Sequence, residues 1–258
     1  MILHFDPPAE GPEGRPAFFF LHGFLGAGSN WRSLAKVFAQ DYLVVCPDAI
    51  NHGRSPRRRE VSYPAMAQDL FDTASSLGRE TFVALGHSMG GKTVMEAALS
   101  RPDRVKALIV ADIAPRSYPP AFAPYLEALL SLNPREFKTR KEGMDALESA
   151  IPDRSLRSFL LNNLERTEEG FDWRINLSAL SEGYDEIRGG VEGGRVYTGP
   201  ALFLKGENSS YIEPGDETFI KSLFPLSRQA VIRGAGHWLQ ADNPGETAEA
   251  IRAFLEEI

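Results

Sequence analysis

Ser88 is the residue whose neighbours most clearly favour chemistry. It lies in LGHSMGGK, where Gly86 and Gly90 stand two residues before and two residues after it, between an apolar run and a helix-length stretch. Glycines at these positions let the backbone turn sharply without Cβ clashes, so the hydroxyl projects beyond the strand, close to the N-terminus of the next helix. A serine in this G-x-S-x-G pattern is typical of a nucleophile in acyl transfer.

The same letters support a second interpretation. Residues 86–93 also read G-x-x-x-x-G-K-T, the loop that cradles phosphates in nucleotide hydrolases. Lys92 would then contact phosphate, and Asp112, which ends the run KALIVAD, would stand where a magnesium-binding acid is expected. The motif alone does not separate the two interpretations. Three other segments fit acyl transfer only, and in that interpretation Lys92 is simply a helix residue.

Two of those segments supply the groups that an acyl-transfer nucleophile needs. FLHGFLG is a histidine–glycine turn that follows an apolar run and presents backbone N–H groups. We predict that the Phe24 and Met89 N–H groups stabilise the carbonyl oxygen as it becomes anionic. GAGHWLQADNP carries His237 in a loop after the last apolar run, from which it can accept the Ser88 proton and return it to the leaving group.

The third segment, DAINHGRS, is a turn after a strand. Gly53 permits a tight bend there and Ser55 is a candidate helix cap. The segment is predicted to be mainly architectural, with Asn51 as a candidate supporting residue near the rim of the site.

Elements that would position these residues follow from the apolar pattern. Short runs rich in Val, Ile and Phe alternate with amphipathic stretches, which is typical of strands buried on both faces and covered by helices. The predicted strands are 17–23, 42–48, 81–88, 106–112, 201–206 and 229–234, and the predicted helices are 30–40, 63–77, 90–100, 216–223 and 244–258. Repeated strand–helix units imply an α/β fold with a mostly parallel central sheet, whose ligands bind beyond the carboxyl ends of the strands.

Residues 116–194 interrupt this alternation. They contain amphipathic stretches but no convincing strand, so we predict a helical insertion into a core formed by residues 1–115 and 195–258. The insertion would be a lid over the site or a buttress of the core, and its length favours the lid. Apolar residues that could line a pocket, or belong to the packing of the insertion itself, are Phe122, Tyr125, Leu129, Phe159 and Leu160.

Composition excludes several classes of protein. The chain has 258 residues, 43% apolar residues and a net charge of −7, which argues against a nucleic-acid partner. No apolar stretch approaches the ~18 residues of a membrane span, and residues 1–14 lack the features of a signal peptide. Cys46 is the single cysteine, which excludes an internal disulfide and fits a reducing compartment. These features predict a cytoplasmic protein without membrane insertion. Neither a metal site nor a cofactor site is indicated, and the sequence carries no signal for an oligomeric state.

Together the motifs HGFLG, NHGRS, GHSMGG and GHW, in this order, make the chain resemble the α/β-hydrolase superfamily over nearly its whole length. DAINHGRS, GHSMGGK and KGENSSYI resemble the small bacterial carboxylesterases typified by YbfF. The resemblance implies hydrolysis of small to medium acyl esters, or of thioesters, by a serine enzyme that uses water, an acyl-enzyme intermediate and no cofactor. It also implies the chain order Ser, acid, His.

The acid is the one departure from the superfamily pattern. Most relatives carry it after the strand predicted at 201–206, where this chain reads GENSSYIEPGD and has no Asp at the start. The resemblance to the small esterases implies Asp112 instead, at the end of the preceding strand, with Ser209 supplying a hydroxyl in the vacated position. Glu207 and Asp216 remain alternatives, and a turn cap is the structural alternative for Asp112.

Overall fold

A parallel sheet forms the centre of the molecule. The computed structural model describes residues 1–7 and 14–258. Its strands are β1 (Ala17–Leu21), β2 (Leu43–Val45), β3 (Phe82–His87), β4 (Val105–Ala111), β5 (Leu164–Thr167), β6 (Gly170–Trp173), β7 (Ala201–Gly206) and β8 (Ser227–Ile232). Six of them form the central sheet in the order β2-β1-β3-β4-β7-β8, and every pairing in it is parallel. The six predicted strands are therefore confirmed, although β2 covers only three residues.

Helices cover both faces of this sheet. They are α1 (Arg32–Phe38), α2 (Tyr63–Ser76), α3 (Met89–Ser100), α4 (Ala123–Leu130), α5 (Arg140–Ala146), α6 (Arg154–Leu161), α7 (Leu177–Glu182), α8 (Tyr184–Arg188), α9 (Glu217–Leu223), α10 (Leu239–Asp242) and α11 (Pro244–Glu256). Side chains alternate along a strand, so Phe18 and Phe20 of β1 pack on the face covered by α1 and α11, whereas Phe19 packs on the face covered by α2, α3 and α9. Burial on both faces explains why β1 reads as an unbroken apolar run.

The chain leaves the sheet after β4 and returns at β7. Between them lie α4 to α8 and an antiparallel hairpin of β5 and β6. The prediction that residues 116–194 contain no strand is therefore wrong. Three of the four β5 residues are exposed, so the strand lacks the apolar run that marked the others, and Gly170 turns the hairpin with φ of 127°. β5 is identified as a strand by its hydrogen bonds to β6 and not by an apolar pattern.

The segment between β4 and β7 is called the excursion below. Its apolar side chains share a core with the end of the central sheet. Leu126, Leu160 and Tyr184 belong to one buried cluster with Phe24 and Met89. The Phe24 ring stacks on Tyr184 at 5.6 Å and meets the edge of Phe122 at 5.8 Å. The excursion is thus packed directly onto the two residues whose N–H groups are the predicted oxyanion donors.

Residues 8–13 lie outside the described residues. They belong both to the stretch predicted to lack signal-peptide features and to the predicted core of residues 1–115. In the described ranges no helix combines the length and apolar character needed to cross a membrane.

Candidate active site

Ser88 occupies a sharp turn between β3 and α3. Its φ of 53° and ψ of −116° are unusual for a residue with a side chain. A Cβ on Gly86 would lie 2.1 Å from the Gly90 oxygen, and a Cβ on Gly90 would lie 2.4 Å from the Leu21 oxygen. Both glycines are therefore required by close backbone approach, as the sequence predicted. Strained backbone of this kind persists only where the surrounding structure enforces it.

Asp112 and His237 are joined across the carboxyl ends of β4 and β8. The His237 Nδ1 lies 2.8 Å from Asp112 Oδ2, and Asp112 is fully buried. The Gly206 N–H donates to Asp112 Oδ1 at 3.0 Å, and the Ser209 hydroxyl donates to Oδ2. Since a carboxylate only accepts hydrogen bonds, Nδ1 carries the proton, and Nε2 is left as the basic nitrogen.

Two aromatic side chains fix the imidazole of His237. The Tyr211 ring stacks on it with a centroid distance of 3.7 Å and an interplanar angle of 14°. On another side the His87 ring lies at 4.5 Å, and His87 Nε2 donates to the His237 carbonyl oxygen at 2.8 Å. Burial lowers the pKa of His87 well below its usual value, so this histidine is neutral. Sequence reasoning assigned no role to Tyr211, and the one available signal was an aromatic residue two positions after Ser209.

The histidine–glycine turn lies against the serine. A Cβ on Gly23 would be 3.3 Å from Ser88 Cβ and 2.8 Å from His87 Nδ1. Phe24, Ser88 and Met89 line one cavity, and neither the Phe24 nor the Met89 N–H donates a hydrogen bond within the described part of the chain. Two N–H groups thus remain available beside the hydroxyl.

Two buried histidines hold this turn in place. The Ala49 N–H donates to His22 Nε2 at 2.8 Å, and the Leu25 N–H donates to His52 Nε2 at 3.1 Å. Burial lowers the pKa of both rings, that of His52 to about 3, so each stays neutral and keeps an acceptor nitrogen. The DAINHGRS turn therefore braces the FLHGFLG turn, consistent with its predicted architectural role.

Asn51 lies away from the two cavities described below. It is buried, and its Oδ1 accepts from the Arg58 N–H at 2.8 Å and from Asn176 Nδ2 at 3.1 Å. Asn51 lines neither cavity. The prediction that it lies near the rim is not supported, because its side chain ties its own loop to the segment before α7.

Neither alternative acid, Glu207 or Asp216, forms a hydrogen bond with His237 in the described structure. The Glu207 carboxylate accepts from the Gly234 N–H at 2.7 Å, and Asp216 pairs with Arg116 at 2.8 Å. These contacts hold both carboxylates in other positions, whereas Asp112 meets the imidazole directly.

The phosphate-loop interpretation also finds no support in the geometry. The Lys92 side chain is buried and donates to the carbonyl oxygens of Arg188 and Gly189, and Thr93 Oγ1 donates to the Met89 oxygen at 3.0 Å. Asp112, the supposed magnesium ligand, is engaged with His237. In the described ranges no group of three or more His, Cys, Asp or Glu side chains is arranged to hold a metal ion.

Ser88 lines two cavities. One of about 370 Å³ is also lined by Met89 and Lys92, and the other, of about 290 Å³, is also lined by His237. Phe24 and Phe122 line both cavities with Ser88, and Phe159 lines the second. The expectation for Phe122 and Phe159 is confirmed, whereas the other three predicted pocket residues, Tyr125, Leu129 and Leu160, line neither cavity and pack within the excursion.

Comparison with known proteins agrees with this fold. A family model described as the alpha/beta hydrolase fold matches residues 16–145. The sn-1-specific diacylglycerol lipase ABHD11 of Mus musculus is 38% identical over 254 residues, which cover 95% of this chain and 83% of the relative. Esterase YbfF of Escherichia coli strain K12 is 34% identical over 256 residues, which cover 96% of each chain.

A solved structure, named as a marine microorganism esterase, superposes with a TM-score of 0.93 and 40% identity over 98% of this chain and 99% of that one. The chain belongs to the α/β-hydrolase fold family. It is an enzyme, a hydrolase of the esterase and lipase type. The resemblance inferred from the four motifs is confirmed.

Proposed function

We propose that this enzyme is a serine carboxylesterase for small to medium acyl esters and, by the same steps, thioesters. Ser88 is the nucleophile, His237 the general base and Asp112 the acid that orients it. The observation that carries the proposal is the 2.8 Å hydrogen bond between His237 Nδ1 and Asp112 Oδ2 beside a serine on a strained turn. This arrangement matches the roles that acyl transfer requires.

In the first half-reaction the Ser88 oxygen attacks the ester carbonyl while His237 Nε2 takes the hydroxyl proton. The Phe24 and Met89 N–H groups stabilise the oxyanion, and His237 then donates the proton to the departing alcohol oxygen. A water molecule, deprotonated by the same nitrogen, next attacks the acyl-enzyme. Collapse of the second intermediate returns the proton to Ser88 and releases the carboxylic acid.

Asp112 fixes the tautomer and orientation of the imidazole and stabilises its positive form. Ser209 supports Asp112, because its hydroxyl donates to the same oxygen that His237 meets. Tyr211 supplies a ring face against the imidazolium as it forms. No proton passes to Asp112 in this scheme, and no metal or cofactor takes part.

Residues 116–194 are proposed to act as a lid on a core of residues 1–115 and 195–258. Phe122 and Phe159 come from this lid and line the cavities around Ser88. Apolar walls of this kind exclude water from the oxyanion and strengthen its hydrogen bonds. The cytoplasmic location remains a prediction from the sequence.

The two cavities take different parts of the ester. His237 must donate a proton to the departing oxygen, so the alcohol lies in the smaller cavity, which His237 lines. The acyl group then extends the other way, past Met89 into the larger cavity.

The test is hydrolysis of 4-nitrophenyl acetate, butyrate and laurate in the presence of EDTA by the wild type, Ser88→Ala and, as a control, Ser222→Ala on an exposed helix face. We expect the wild type to be active and Ser88→Ala to lose at least about 10⁴-fold in kcat, with Ser222→Ala unchanged. A phosphonate inhibitor should label Ser88, as detected by mass spectrometry. An inactive wild type, or a fully active Ser88→Ala protein, would contradict the proposal.

A further inference from the structure

Lys92 is a buried residue whose side chain lines the larger cavity. Its side chain is 1% exposed and lines that cavity together with Ser88. Ser88 and Lys92 are four residues apart at the start of α3, where the Lys92 N–H donates to the Ser88 oxygen at 3.0 Å. The lining of this cavity therefore contains both the nucleophile and a cation.

The ammonium group of Lys92 is incompletely satisfied by the protein. It has three N–H donors, and it donates to the Arg188 oxygen at 3.3 Å and to the Gly189 oxygen. The ring faces of Tyr118, at 4.7 Å, and Tyr63, at 5.8 Å, lie beside it. Within the described residues no carboxylate lies within ion-pair distance of it, so one donor and the positive charge are left without a counterpart. A buried charge without a counter-ion is costly.

The other charged groups of this cavity are already paired. Arg116 pairs with Asp216 at 2.8 Å and lies 3.8 Å from Glu213, and Arg188 pairs with Asp185 at 2.7 Å. Among the described residues, Glu213 is the one carboxylate that lines this cavity, and it is well exposed and faces Arg116. Burial, and to a lesser extent Arg116, lower the pKa of Lys92 to about 7, which is the expected consequence of a missing counter-ion.

We propose that Lys92 binds a carboxylate at the far end of the acyl group, so that half-esters of short dicarboxylic acids are preferred substrates. The inference rests on the proposed function, because it takes the larger cavity as the acyl site. A carboxylate there supplies the missing counter-charge and accepts the third N–H. Hydrogen bonds to charged groups are strong enough for a tenfold to hundredfold preference, roughly.

The test compares charged and uncharged acyl groups of the same shape. Monoethyl esters of succinate, glutarate and adipate are each paired with the carboxamide that replaces the free carboxylate, and ethyl butyrate serves as the reference. Ethanol release gives kcat/KM, and the measured quantity is the carboxylate-to-carboxamide ratio. Each variant is its own reference, so general losses of activity cancel.

Three variants accompany the wild type. Lys92→Gln removes the charge but keeps a donor for the Arg188 and Gly189 oxygens, and Lys92→Met keeps the length without charge or donor. Lys106→Gln, at an exposed position of β4, is the matched control. We expect a wild-type ratio of about ten or more for at least one acyl length, a ratio near one in both Lys92 variants, and the wild-type ratio in Lys106→Gln.

Two results would overturn the inference. One is a wild type that hydrolyses ethyl butyrate without preferring any carboxylate, a result independent of how the variants fold. The other is a Lys92→Gln protein that keeps the preference. A wild type that hydrolyses no ester at all would defeat the proposed function itself.

Discussion

The carboxyl edge of the central sheet and the excursion between β4 and β7 contribute different things to the same site. The edge supplies every group assigned to bond making: Ser88 after β3, Asp112 after β4 and His237 after β8. The excursion supplies cavity walls, notably Phe122 and Phe159. In the proposed mechanism the edge therefore carries the chemistry, whereas the excursion, together with Lys92 of α3, affects the choice of substrate.

Strained backbone conformations also lie at the sheet edge and not in the excursion. Among the described residues, positive φ without glycine occurs at Leu25, Asn51, Ser88 and Asp112, all at or beside this edge. Such conformations cost about 1–3 kcal/mol each. Neighbouring strands hold two of these residues in place, because the Ser88 N–H donates to the Ala111 oxygen at 3.2 Å and the Asp112 N–H donates to the Leu204 oxygen at 2.8 Å. A substitution at the edge should therefore lower turnover of every ester, and one in the excursion should change the choice among esters.

Apart from Ser88→Ala, the largest effect is expected at Asp112. Asp112→Asn keeps the size of the side chain but can donate to His237, which favours the wrong tautomer, so kcat should fall by about 10⁴-fold on all esters. Stopped-flow or steady-state assays with 4-nitrophenyl butyrate measure this. Glu207→Gln is the matched control and should keep its activity. The reverse pattern would identify Glu207 as the acid.

A smaller loss of kcat, again on all esters, is expected at the histidine–glycine turn that carries the Phe24 N–H. A Cβ on Gly23 would press on the buried His87 ring and on Ser88, so Gly23→Ala should displace the Phe24 N–H and lower kcat about 100- to 1,000-fold. Gly215→Ala is the control, since a Cβ there meets no atom within 4 Å. Equal loss for acetate and butyrate esters would support the oxyanion role, and unchanged kcat would remove it.

A change of pH should alter the preference for charged over uncharged acyl groups. Because burial lowers the Lys92 pKa to about 7, the charged form dominates at pH 6 and the neutral form at pH 8.5. The carboxylate-to-carboxamide ratio of the wild type should therefore decrease by about tenfold as pH rises across this range. The ratio cancels any pH effect that is common to both substrates. A ratio that is flat with pH, or that falls equally in Lys92→Gln, would count against the assignment.

The smallest effect is expected in the excursion. Phe159 packs on Trp238 at 5.5 Å in the smaller cavity, so Phe159→Ala should enlarge the alcohol side and raise the relative kcat/KM of benzyl over ethyl butyrate by roughly threefold to tenfold. Preference among acyl groups at a fixed alcohol should not change. Leu130→Ala, an exposed site in the same excursion, is the control. A changed acyl preference would show that the two cavities are not separate.

Local sequence determined the parts of this protein whose signal lies in neighbouring residues. Apolar runs marked the six strands of the sheet, because burial on both faces leaves little room for polar residues. Gly86 and Gly90 marked the serine turn, since only glycine tolerates backbone approach that close. Pro244 after Asn243 marked the start of α11, where the Asn243 side chain accepts from the Glu246 N–H at 3.2 Å.

Tertiary structure alone decided which distant residues meet. The resemblance implied Asp112 but left Glu207 and Asp216 open. The structure favours Asp112 because β4 and β7 lie side by side, so that Gly206, Ser209 and His237 converge on its carboxylate. The β5–β6 hairpin escaped prediction because its pairing, rather than an apolar pattern, defines it. In the acyl-transfer interpretation, the sequence predicted Lys92 to be an ordinary helix residue. Its charge is buried without a counter-ion because the chain at Arg188 and Gly189 packs over α3. Short-range signals specify elements, whereas side-chain partners across the sheet depend on how those elements pack.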